Sequence, residues 1–361
     1  MDNSSVGTEE IAIDLESFND AYIQRSLPNT IVILFFLFVG VLGNSLILYV
    51  YEFRFPRSDG RYYIGALAFC DLGAIIFTSV LNLLQNLTKY VFPGDIVCKG
   101  VLYLSYSFIN TSLFLWNVIA VQRFRKICRP FSWQLKHHWR RWCIVICVGV
   151  SFTLYSPVLY FYSINEEVFT NNNITVFVCQ QIKTHTFGLK IFQGIGFILS
   201  IANVIAIISI YVIVSIKIFK VMRGVRRART ESIRSVTITC PTTTSSLIEG
   251  RSADTTADPV PTRRTISESQ TAAQKLEHTI AFTFMTILLM GLLSYAPSRY
   301  LLVYETLDPT FWDSLDYTKF NFYLFLRRLY VINHSCNVFI YLIFDSMFRK
   351  EVRNLIGRSS S

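Results

Sequence analysis

Hydrophobic positions along this chain fall in long blocks. They do not alternate as in half-buried strands, nor recur every third or fourth residue as in surface helices. Seven blocks, at 27–51, 62–84, 97–121, 142–164, 187–219, 279–304 and 320–344, are each long enough to cross a hydrocarbon core, which takes about 20 residues of helix. Lipid offers no hydrogen-bond partners, so each block is predicted to be a helix that satisfies its own backbone. Most blocks carry no charge in the middle third, and the least clean is the second, which contains Asp71. The first 26 residues are polar and lack the apolar run of a cleaved leader, so the first block is expected to stay as a span. The expected fold class is an all-α membrane protein, a seven-transmembrane helix bundle over 27–344. An extracellular N-terminus (1–26) precedes it, and a short amphipathic inner helix with a cytoplasmic tail (345–361) follows.

Composition agrees. Of 361 residues, 52% are apolar and only 16% charged, against about 25% charged in soluble domains. Such a chain is neither disordered nor a soluble nucleic-acid binder, despite a net charge of +10. That charge divides by side. The loops after the first, third and fifth spans and the tail, with Lys217, hold 25 of the 34 basic residues and 10 of the 24 acids. Lys and Arg are retained in the cytoplasm, so the N-terminus is expected outside, in a multi-pass protein of the plasma membrane. The basic inner face can also meet anionic lipid.

Two other signals follow the same orientation. The sequons at Asn3, Asn86 and Asn173 fall outside, whereas those at Asn110 and Asn333 lie within spans. Of eight cysteines only Cys98 and Cys179 lie on the oxidising side, where a disulfide would tie the loop before the fifth span to the third helix. Cys70, Cys128, Cys143, Cys147, Cys240 and Cys336 are expected as free thiols.

The loop 220–275 is rich in Ser, Thr, Arg and Pro and is expected to be disordered, with its ends extending the fifth and sixth helices. Its stretches 226–230 and 263–265 look like basophilic kinase sites or a solvated basic linker. The outer loop 164–182 sets Asn171, Asn172 and Asn173 before a β-branched run, which predicts a hairpin. After the last block, Met347, Phe348, Val352 and Leu355 share one helical face, as in a helix lying on the inner membrane surface.

Polar groups inside spans are expensive and therefore candidates for function. Asp71 has Asn44, Ser112, Asn333, His334 and Asn337 at comparable depth. Such oxygens suit a small hard cation such as Na⁺, or a hydrogen-bond network between helices. Arg123 and Glu277, at the inner ends of the third and sixth spans, could pair or snorkel apart. Arg299, Arg327 and Arg328, in the outer halves of the last two spans, could receive an anionic ligand group or pair with Glu305, Asp308 or Asp313. Pro157 and Pro297 interrupt the fourth and sixth spans, which would make the sixth a lever.

In order and spacing these residues resemble the rhodopsin-like (class A) G-protein-coupled receptors. Gly43 and Asn44 match the first-span pair, and Leu67-Ala68-Phe69-Cys70-Asp71 matches L-A-x-x-D. Cys98 and Cys179 match the family disulfide, Tyr211 the fifth-span tyrosine, and Gln122-Arg123-Phe124 stands for D-R-Y. Ser294-Tyr295-Ala296-Pro297 stands for C-W-x-P, Asn337-Val338-Phe339-Ile340-Tyr341 for N-P-x-x-Y, and Phe348 follows at the family spacing. The resemblance implies an activation switch in which Arg123 meets a heterotrimeric G protein when active and Glu277 at rest, while Tyr211 and Tyr341 rotate inward. It implies a sodium pocket of Asp71, Ser112, Asn333 and Asn337, with no other cofactor, and a ligand above Tyr295.

The departures concern switching. Gln122 brings no carboxylate to Arg123, Val338 replaces the seventh-span proline, and the fourth-span tryptophan and fifth-span proline are missing. Ser105 stands where amine receptors carry Asp, and Val331 where opsins carry the retinal lysine. A peptide ligand is the first expectation, with an acidic group on Arg299 or Arg327 and with Ser105 and Tyr295 in the pocket. A lipid acid or other small anion comes second. Kinases and arrestin are expected at the 220–275 loop. A channel or transporter is disfavoured because Asp71 is nearly alone at mid-depth and no internal repeat is visible. An enzyme is disfavoured because neither H-E-x-x-H nor G-x-S-x-G occurs.

Overall fold

The structure is a computed structural model that describes residues 4–55, 61–131, 137–169, 174–182, 186–238, 263–308 and 310–358. Side chains within these are described except at 4–14, 137, 169, 174, 186, 222, 225–238, 263–278, 280, 306 and 358. The first six blocks become α1 (Ser4–Tyr49), α2 (Tyr62–Leu87), α3 (Asp95–Cys128), α4 (His137–Tyr155), α6 (Thr186–Ile238) and α7 (Arg263–Leu307). Each contains a stretch long and apolar enough to cross a membrane. The apolar stretches of α4 and α6 bury only 17% of their residues inside the protein, so most of their side chains face outward, as lipid-exposed helices do.

The seventh block is the exception. It is divided into α8 (Tyr317–Arg328), α9 (Val331–Ser335) and α10 (Asn337–Phe344). At the breaks the hydrogen bonds tighten from four residues to three: Asn333 N–H to the Tyr330 carbonyl (3.1 Å) and Phe339 N–H to the Cys336 carbonyl (3.1 Å). This tightening is the local 3₁₀ geometry that often marks a hinge. It arises here without the proline that the family places at Val338.

Four further expectations change. The N-terminal segment is not separate from the first span, because α1 is helical from Ser4 and runs through Pro28. The fourth span is shorter than 142–164: α4 stops before Ser156 and Pro157, and a single turn, α5 (Val158–Phe161), leads directly into a strand. Pro157 has no N–H to continue the ladder of α4, and the chain turns there, with Ser156 N–H bonded to the Thr153 carbonyl (3.3 Å). The 220–275 loop is helical at both ends, to Ile238 and from Arg263, further than expected, and 239–262 lies outside the described residues. The sixth span, by contrast, is not interrupted: α7 continues through Pro297.

The bundle packs α1 on α2, α2 on α3, and α3 on α4 and α6, while α7 closes against the pieces of the seventh span. Close approach is built with glycine. A Cβ on Gly291 of α7 would lie 2.6 Å from the Trp116 ring of α3, and one on Gly43 of α1 would lie 2.7 Å from Val338 of α10.

Outside the bundle, β1 (Tyr162–Phe169) and β2 (Ile174–Gln181) form the expected antiparallel hairpin, with Ile164 opposite Cys179. Cys98 and Cys179 are bonded, with Cα atoms 5.6 Å apart. Asp95 holds the hairpin from the other side, accepting from the Ser163 hydroxyl (2.6 Å) and the Ile164 N–H (3.1 Å). Burial raises the Asp95 carboxyl pKa, but these bonds and Lys99 outweigh it and hold the group below its ordinary value. At the inner end α11 (Ser346–Arg358) is the amphipathic helix expected, with Phe348 fully buried and Val352 and Leu355 against the core.

Candidate functional site

Helix ends deliver several cations to one place. Arg299 lies two residues beyond Pro297 in α7, Arg327 and Arg328 form the last turn of α8, and Lys89 follows α2. They line a cavity of about 330 Å³ at the hairpin end of the bundle, with Val178 and Cys179 of the hairpin among its lining residues. Among its lining residues Glu305 is the single acid against these four cations. Tyr106, Tyr295 and Tyr330 also line it, and Tyr295 stacks on Tyr330 with ring centroids 6.0 Å apart.

The three arginines have different environments. Arg327 donates from Nε to Glu305 Oε1 at 2.9 Å, so the residue expected to receive the ligand already carries an internal counterion. Arg328 is buried, and its Nη1 donates to Asn29 Oδ1 (2.7 Å) and Asn86 Oδ1 (2.6 Å), amide oxygens that share the charge without cancelling it. Arg299 is exposed to the cavity and has no hydrogen-bond or ion-pair partner among the described residues. Ser105 lines the cavity, and its hydroxyl is hydrogen-bonded to that of Thr78 at 2.9 Å. Lys89 was not anticipated, since a lone loop lysine has no local signature.

The Asn86 sequon needs correction. Asn86 is fully buried, its Nδ2 donates to Thr30 Oγ1 (2.8 Å) and its Oδ1 holds Arg328, so it cannot carry a glycan in this fold. Asn3 and Asn173 lie outside the described residues.

Below the cavity, Asp71 is fully buried. Its Oδ1 lies 2.8 Å from His334 Nδ1, and its Oδ2 accepts from Asn337 Nδ2 at 2.7 Å. Ser112 and Asn333 are buried close to complete exclusion, and Ser112 Oγ and Asn333 Oδ1 have no hydrogen-bond partner among the described residues. A sodium ion here would need lone pairs of the carboxylate, and an imidazole nitrogen and an amide N–H already take one on each of its oxygens. Asn44 Oδ1 and Asn337 Oδ1 are likewise buried without a partner among the described residues. The hydrogen-bond network, the other reading of these residues, is the arrangement present.

At the inner end Arg123 is 1% exposed, with its guanidinium 5.6 Å from the Phe284 ring centroid. Tyr211 and Tyr341 are buried in the same core, Tyr341 beside Tyr51 (5.6 Å) and Phe348 (6.1 Å). The Glu277 side chain, expected to pair with Arg123, lies outside the described residues. Asp345 was not anticipated. It accepts from Tyr51 Oη (2.8 Å) and from the N–H groups of Met347 (2.9 Å) and Phe348 (3.1 Å), and pairs with Arg61 at 3.4 Å. It ties the segments just after α1 and just before α2 to the junction of α10 and α11, and the signal for it was its position as the helix N-cap.

Known proteins place this arrangement. The sequence profile of the 7 transmembrane receptor (rhodopsin family) matches residues 43–341. The chain is 29% identical to cholecystokinin receptor type A of Homo sapiens over 170 residues, 42% of this chain and 38% of that protein. It is also 29% identical to the same receptor of Mus musculus over 155 residues, 40% of this chain and 34% of that protein. Identity to neuropeptide Y receptor type 6 of Mus musculus is 24% over 181 residues, 45% of this chain and 49% of that protein. The matches thus span between a third and a half of these curated relatives. The profile covers most of the chain and the helices follow its order, so this multi-pass membrane protein belongs to the rhodopsin family of seven-transmembrane receptors.

Proposed function

We propose that this chain is a receptor for an extracellular peptide with an acidic side chain or free carboxylate, coupled to a heterotrimeric G protein at the basic inner face. The observation that carries the ligand's charge is Arg299, a cation with no described partner in a cavity whose one lining acid is already engaged by Arg327. A planar guanidinium binds a carboxylate bidentately, and the low dielectric of the bundle strengthens that bond. The relatives are peptide receptors by name, and two residues of the hairpin, Val178 and Cys179, line the cavity. The N-terminus lies outside in this reading, and the inner helices present their basic residues to the G protein, to kinases and arrestin, and to anionic lipid.

A small organic anion is the second reading. It is favoured by the cavity volume, which lies at the lower end of the range for small-molecule sites. A library of acidic peptides, their amidated counterparts and small carboxylates, read by G-protein activation reporters, separates the two. The expected hit is a peptide whose potency falls on amidation and falls about tenfold to a hundredfold in Arg299→Ala, the loss of one charge-assisted contact. Unchanged potency in Arg299→Ala retires the anion reading. Hits confined to small carboxylates select the second one.

A further inference from the structure

We propose that His334 stands in for a cation at the centre of the bundle, and that it joins Tyr295 under the outer cavity to Asp71 and Asn337 in one hydrogen-bonded chain. The Tyr295 hydroxyl lies 2.9 Å from His334 Nε2, His334 Nδ1 lies 2.8 Å from Asp71 Oδ1, and Asp71 Oδ2 accepts from Asn337 Nδ2 at 2.7 Å. His334 is 1% exposed, Asp71 0% and Asn337 2%, so bulk water does not compete for these bonds.

The chemistry gives the chain a direction. Facing a carboxylate, Nδ1 is the nitrogen that carries the proton, which leaves Nε2 to accept from the Tyr295 hydroxyl. The ring is held at both nitrogens, and its backbone carbonyl accepts from Asn44 Nδ2 at 2.7 Å. Asn44 donates to the Gly40 carbonyl as well, at 2.9 Å, so α1 also braces the residue. A rigid ring fixed at three points cannot follow a displacement of Tyr295 without breaking a bond or dragging Asp71.

The tyrosine at 295 and the histidine at 334 then explain each other. An indole N–H only donates, whereas a phenol both donates and accepts. Tyr295, in place of the tryptophan, therefore supplies the hydroxyl that a neutral imidazole can accept. His334 in turn supplies the N–H that a buried carboxylate needs. The imidazole holds Asp71 Oδ1, one of the two carboxylate oxygens a sodium ion could ligate, so in this proposal the ring takes the place of the ion. Removing the ring re-creates a buried carboxylate that lacks its positive or donor partner.

The test needs no ligand and does not depend on the reading of the outer cavity. The purified full-length chain is melted in sodium chloride and in choline chloride at equal ionic strength, followed by intrinsic tryptophan fluorescence. The wild-type chain is expected to melt at the same temperature in both salts. His334→Ser is expected to melt lower and to gain a sodium-specific upward shift. A sodium-specific shift in the wild-type chain overturns the proposal, whether or not the variant folds. So does a folded His334→Ser that ignores sodium. The chain of bonds is read separately by a double-mutant cycle of Tyr295→Phe with Asp71→Asn. Coupled residues lose less together than the sum of the single losses, and strictly additive losses overturn the link.

Discussion

At the residue scale, identical side chains adjacent in sequence have divergent tasks here. Arg327 points to Glu305, while Arg328, one residue on, is buried against Asn29 and Asn86. An isolated buried charge is costly, and two amide oxygens offset that cost only in part. Asn86 therefore serves as a partner for a cation and not as a carrier of sugar. Asn86→Gln is expected to leave the glycosidase-sensitive mobility of the receptor on a gel unchanged. It should destabilise the chain by about 1.5–3 kcal/mol, the range for a lost hydrogen bond to a charged group, visible as a lower melting temperature. A mobility shift without loss of stability would restore the sequon. The sequence could not settle this, because N-x-S/T is a local pattern and burial of Asn86 depends on Thr30 and Arg328, which are 56 and 242 residues away.

At the element scale, junctions depend on single caps. Asp345 closes the gap between α10 and α11 by accepting two backbone N–H groups and a buried phenol, with Arg61 beside it. Asp345→Ala would leave Arg61 and Tyr51 buried without that partner. The loss is on the order of 3 kcal/mol, as for a broken buried pair. It should appear as a lower melting temperature with faster amide hydrogen exchange confined to α11. Exchange spread evenly over the bundle would assign Asp345 a global role instead. The hairpin and the amphipathic helix after the last block were legible because turn residues and amphipathic spacing act within a few residues. The end of α4 before Pro157 was not, since a proline can kink a span as well as stop it. The division of the seventh span was not legible. Val338 carries no breaking signal, and what His334 and Asn337 reach across the bundle is not readable from neighbouring residues.

At the scale of the whole molecule, coupling between outer cavity and inner face has to pass through a core that keeps Arg123 buried. Gln122 precedes it, also buried, and brings no carboxylate beside the arginine. Gln122→Asp would restore that charge, so ligand-free G-protein activation is expected to fall relative to the wild-type chain at matched surface expression. Equal basal activity would show that other contacts set the resting state.

Seven membrane-length apolar blocks, the sidedness of charge, the Cys98–Cys179 pair and the inner helix were determined by the sequence itself. Each rests on composition or spacing that any lipid-embedded helix bundle must obey. Tertiary structure decided the partners of the polar groups inside that bundle. Asp71 and His334 meet although 263 residues separate them. Arg299 retains an accessible charge while Arg327 does not. Pairings of this kind are set by helix rotation and depth, which hydropathy leaves open, because a helix is equally apolar whichever of its polar residues faces a neighbour.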